Sequence, residues 1–161
     1  MFAAVFAYAI ALQAAPVTAQ PSDELKGERA DLGVFTEQNN EAWAQLKSGD
    51  AAVCANRDII EAIPVLADGP VYDRFIENGG KLPSLNPITA VGLDRDIGEV
   101  RCDAFAPGGH LKFTVRPSLS EPGTIVIELA HTAESDAFAR WMAEHTPSLP
   151  GSRHVSAKRQ H

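Results

Sequence analysis

Two cysteines and five histidines are the residues of this 161-residue chain best suited to covalent or metal chemistry, and their spacing limits what they can do. Cys54 and Cys102 stand 48 positions apart, with no CxxC motif and no histidine at ligand spacing from either. That pattern favours a disulfide over a reactive thiol or a thiolate metal site. A bridge across so long a loop is worth about 4 kcal/mol in the chain-entropy account, against a total of roughly 5–15 kcal/mol for an ordinary domain. The histidines are His110, His131, His145, His154 and His161. None pairs with another at i,i+2 or i,i+4, and no HExxH occurs, so no metal site is expected.

Other assembled chemistries lack their parts. There is no G-x-S-x-G for a nucleophile elbow. Gly79-Gly80 and Gly108-Gly109 have neither the spacing nor the following Lys-Ser/Thr of a phosphate loop, and no cofactor is expected. Asp94-Arg95-Asp96 begins like a calcium loop and then fails, because the third acid is missing, Gly98 comes one place early and position 12 is Phe105. An acidic turn before a strand is the reading that remains.

Three dispersed arrangements survive. His110 opens one predicted strand and His131 follows another, so an antiparallel pairing would bring them to neighbouring strand ends. A His–carboxylate pair with Asp103 or Glu128 is then conceivable, and an enzyme with a dispersed site is one reading of the chain. Arg101, Lys112, Thr114, Arg116 and Glu128 alternate onto one face of the same strands. They give a basic row on an acidic body, fit for an anionic partner such as a glycan, a phosphate or an acidic protein patch. Finally, Arg116 to Gly123 joins the two clearest strands, with prolines on either side of Ser118, Leu119, Ser120 and Glu121. A rigid loop with an apolar tip is a design used by inhibitors of secreted hydrolases. The plain alternative is a connector whose Leu119 folds back onto the core.

Scaffold and compartment frame these readings. With 45 % hydrophobic and 22 % charged residues the chain has the composition of a folded domain, not of a disordered one. Its net charge of −7 opposes binding to nucleic acid. Residues 1–21 carry no charge, Phe2 to Leu12 is uniformly apolar, and Pro16 is followed by Val17-Thr18-Ala19. An apolar core, a helix breaker and small residues at −3 and −1 make a secretory signal, residues 1–19, although no Lys or Arg precedes the run. The run is about half the roughly 20 residues a membrane span needs, so no stable span is expected in the mature chain. A periplasmic or secreted protein follows, in agreement with the cysteines.

Residues 20–146 read as one α+β domain. Ser22 is a candidate cap for a helix from Asp23 to about Leu32, and Thr36 for a helix carrying Ala42, Trp43 and Leu46, closed by Gly49. Asp50 opens a third, with Val53, Cys54, Ile60 and Ile63 on a stripe and Pro64 at its end. Gly69-Pro70 starts a fourth through Asn78. Periodicity then falls to two. Val100, Cys102 and Ala104, then Leu111, Phe113 and Val115, then Ile125, Ile127 and Leu129 mark three strands of an antiparallel meander, with Ile88 to Leu93 a possible fourth. Thr132 caps a last helix whose stripe is Ala137, Phe138, Trp141, Met142 and His145, apt to cover the apolar face of the sheet. Cys102 points into that face, so a bridge to Cys54 would fasten the helical half to it. Residues 147–161, with Arg153, Lys158, Arg159 and no acid, are expected to be a disordered basic tail. The function most consistent with all this is an exported, non-enzymatic binding or accessory protein of the cell envelope, its partner an envelope or secreted protein or an anionic glycan.

Overall fold

The computed structural model describes residues 27–34 and 41–148. The signal segment 1–19, the Ser22 and Thr36 caps and the basic tail from residue 149 lie outside the described residues.

The strands predicted from alternation all form. They are β2 (Ile88–Asp94), β3 (Glu99–Ala106), β4 (Gly109–Pro117) and β5 (Thr124–Ala130), joined as an antiparallel meander, and β1 (Gly27–Val34) adds a fifth strand. The order is β1-β5-β4-β3-β2. Val100, Cys102, Ala104 and Ala106 of β3 pack inward with Leu111, Phe113 and Val115 of β4, while Arg101 and Phe105 face out. Register pairs Cys102 with Phe113 and Phe113 with Leu129, so one apolar stripe crosses the three strands.

β1 corrects the helix expected from Asp23 to about Leu32. Residues 27–34 are extended and pair antiparallel with β5, Gly27 opposite Ala130 and Ala30 opposite Ile127. The local cap signal is overridden by a long-range demand. β5 is buried on both faces, Ile125, Val126 and Ile127 all at 0 % exposure, and its outer backbone groups need partners that water does not supply. Gly27 and Gly33 weaken the competing helix.

Helices cover one face of the sheet. In α1 (Glu41–Ser48), Ala42, Trp43 and Leu46 are buried. The single helix expected from Asp50 to Pro64 is two elements. Asp50 Oδ1 accepts from the Ala52 N–H to cap a short 3-10 turn, Ala51–Ala55, and Asn56 then caps α2 (Arg57–Glu77) by accepting from the Asp58 N–H. Nor does Pro64 end the helix. It sits buried inside α2, in the core, and the interruption falls at Asp68, whose backbone is extended. The Asp68 carboxylate accepts from the Val71 N–H at 3.0 Å and restarts the helix where Gly69-Pro70 predicted a start.

α3 (Ala133–Glu144) opens with a reciprocal capping box between Thr132 and Ser135. Its stripe divides. Phe138 and Met142 are fully buried in the core, whereas Trp141 packs on Phe75 of α2, ring centres 6.0 Å apart, and stacks on His145 at 4.5 Å. The Cys54–Cys102 disulfide ties the 3-10 turn to the inner face of β3, with Cα atoms 5.6 Å apart. The helical half is thus bonded to the sheet, as the cysteine spacing predicted.

Candidate functional site

Alternation carries the expected basic row to the outer face of the sheet, where one of its cations, Arg116, is matched by an acid. Arg116 Nη2 donates to Glu128 Oε1 at 2.7 Å, each side chain only about one-fifth exposed (19 % and 21 %). His110 Nδ1 lies 2.7 Å from Asp103 Oδ1, and the His110 ring meets Phe105 edge-on at 5.3 Å. Lys112 sits opposite Asp103 in the ladder. Glu134, at the start of α3, is held below the ordinary carboxylate range, first by a backbone N–H of its own residue, then by the Thr132 side chain, with smaller help from Lys112 and His110. Between these groups Thr114 is 2 % exposed, its hydroxyl without a hydrogen-bond partner among the described residues. Attraction for a glycan or phosphate is therefore weaker than the bare list of Arg101, Lys112 and Arg116 suggests.

The two histidines expected at neighbouring strand ends line different features. His110 forms the foreseen His–carboxylate pair with Asp103. His131, just before α3, instead lines a cleft of about 740 Å³ with Arg29, Arg140, Val65 and Pro70. This cleft, between α2 and α3, was not foreseen. Its signal was present in Asp68-Gly69-Pro70, the break and restart of α2 that lines the cleft. Among the described residues, no group of three or more His, Cys, Asp or Glu side chains is arranged to hold a metal ion. No described helix is long and apolar enough to cross a membrane.

The loop between β4 and β5 is the most distinctive feature. The Ser118 hydroxyl accepts from the N–H groups of Ser120 (3.3 Å) and Glu121 (3.1 Å) and lies 3.2 Å from the Ser120 hydroxyl. The Ser118 N–H donates to Thr124 O at 2.8 Å, the Thr124 N–H donates to Glu121 O at 3.2 Å, and Gly123 takes the left-handed turn at φ 82°. A serine at the loop's entrance thus braces its backbone from within. Leu119 does not fold back. It is 83 % exposed, against 63 % for Val91, the next most exposed large apolar side chain among the described residues. Glu121 and Ser120 are exposed beside it. Sequence placed this loop correctly; the direction of Leu119 was not legible, because either direction satisfies the spacing.

No family model, curated protein or solved structure matches this chain.

Proposed function

We propose that this is an exported binding or accessory protein of the cell envelope that engages a protein partner through the β4–β5 loop. One observation carries the reading: an almost fully exposed leucine stands on a backbone braced by Ser118. Burying a leucine side chain is worth roughly 1.5–3 kcal/mol, and a loop already held in one conformation loses little entropy when it docks. A pocket in another protein could take that side chain. The disulfide supports the exported location, since such bonds persist in oxidising compartments, and the uncharged segment 1–19 agrees with it. A protein suits this loop better than an anionic glycan, because its tip presents Leu119 and Glu121 and the nearest arginine, Arg116, is paired to Glu128.

The narrower form of the reading is an inhibitor of a secreted hydrolase, favoured by the same rigid, apolar tip. It is tested by measuring the rates of serine proteases and lysozymes against increasing protein, wild type beside Leu119→Asp. Dose-dependent loss of rate with wild type alone is the expected result. Equal behaviour of the two proteins, here and in capture of envelope partners, would remove the loop from the function. A dispersed-site enzyme built on His110, which pairs with Asp103, and His131 is the third reading. Turnover of a small substrate that falls in both His110→Ala and His131→Ala would favour it over the loop.

A further inference from the structure

The β4–β5 loop does not stand alone at its end of the sheet. Antiparallel register sets Val100 opposite Val115, and continuing it by two residues brings Gly98 of the β2–β3 turn beside Pro117. The two meet there: a Cβ built on Gly98 would lie 3.5 Å from the Pro117 ring. The β2–β3 turn carries its own exposed aliphatic, Ile97, at 46 %. Neither Ile97 nor Leu119 belongs to the core, and the fold places the turns that carry them next to each other.

Their surroundings have a sign. Asp94, Asp96 and Glu99 flank Ile97, and Glu121 flanks Leu119, whereas the cations at this end are Arg95, Arg116, which is neutralised by its pairing with Glu128, and, on the helix side, Lys47. The Asp96 N–H donates to Asp94 Oδ1 at 3.0 Å, which fixes the turn much as Ser118 fixes the loop. A surface with apolar tips inside an acidic border matches a pocket inside a basic border, since opposite potentials speed encounter and like charges oppose a wrong partner.

We propose that the recognition surface spans both turns, with Ile97 and Leu119 as paired anchors, and that its occupant is a basic protein carrying an apolar pocket. This rests on the loop-mediated binding argued above and adds a second anchor and a charge class to it.

The test uses the full-length mature protein, immobilised at low ionic strength. It is presented with the source's own secreted and envelope proteins, divided by ion exchange at neutral pH into a basic and an acidic pool. Wild type is compared with Leu119→Asp, Ile97→Asp and the double reversal Asp96→Lys/Glu121→Lys. Each variant is first shown to keep Cys54 and Cys102 unreactive without reductant, and Ile97→Ser replaces Ile97→Asp if that variant does not. The expected result is one protein from the basic pool, released by salt and bound at least about tenfold more weakly by each variant. If Leu119→Asp abolishes capture while Ile97→Asp and the reversal do not, the two-turn surface is wrong and the loop reading stands. Capture from the acidic pool alone overturns the charge assignment. If wild type captures nothing beyond what Leu119→Asp captures, both readings fail.

Discussion

The two ends of the sheet are built from the same kind of connection and put to opposite uses. At one end the β3–β4 turn lies under α3. Gly108 and Gly109 adopt φ values of 104° and 133°, and a Cβ on either would approach Ala137 Cβ or Glu134 Cγ to 2.7 Å. At the other end Gly98 meets Pro117 at an ordinary 3.5 Å, and Ile97 and Leu119 stand exposed beyond it. Close packing makes the first end intolerant of a single added methyl. The second is held by local hydrogen bonds through Ser118 and Asp94, which leave the apolar side chains outside. At one end α3 packs on the turn itself, leaving only the outward Phe105 exposed, and at the other no helix among the described residues covers the two turns. Surfaces of the second kind are where binding is to be sought.

The largest test concerns the tie on which both ends depend. Reducing Cys54–Cys102, or replacing both cysteines by alanine, should lower stability by about 4 kcal/mol, read from denaturant unfolding with a slope that rises because the unbridged denatured chain exposes more surface. A loss below about 1 kcal/mol would mean that packing alone holds the helical half to β3. The next test matches one residue from each end. Gly108→Ala meets both a left-handed backbone and a steric contact and should cost about 2–4 kcal/mol, while Gly98→Ala at φ 68° meets only the backbone and should cost about 1–2. Equal losses would erase the contrast between the ends.

How much of this was legible follows from the range of the forces involved. β3, β4 and β5 could be read because alternation is local and each strand keeps one side in the core. The α3 stripe and the Thr132 cap were equally local. β1 was not legible, since what makes Gly27–Val34 extended is the need of β5, about a hundred residues away, for a second neighbour. Pro64 misled because a helix end was inferred from one missing hydrogen bond, which burial in the core outweighs. At the candidate site the loop and its residues were readable. The pairing of Arg116 with Glu128 was hidden in register, since the two lie twelve positions apart on different strands. The neighbouring Ile97 was invisible until the ladder placed Gly98 against Pro117.

That ion pair gives a smaller test. A double-mutant cycle on Arg116→Met and Glu128→Gln should return a coupling of about 1 kcal/mol, because two side chains still about one-fifth exposed are partly screened. It also sharpens the reading of the outer face. Removing Glu128 alone releases Arg116, and weak binding of a sulfated or phosphorylated glycan should then appear where wild type shows none. Glycan binding already present in wild type and lost in Arg116→Met would return the anion-binding role to this row.

The smallest effect on stability is expected at the residue on which the functional argument rests. Leu119→Asp should shift stability by no more than about 0.5 kcal/mol, because a side chain 83 % exposed has few contacts to lose. The braces of its loop come from Ser118, which the substitution leaves intact. Ser118→Ala is the counterpart. It keeps Leu119 but removes the acceptor for two backbone N–H groups, so it should loosen the tip and weaken binding through a greater ordering cost. If Leu119→Asp proved as damaging to the fold as Gly108→Ala, then Leu119 would be a packing residue in solution and the two ends of the sheet would not differ in kind. If it leaves the fold untouched and abolishes capture, then the exposure of this leucine serves the partner and not the chain.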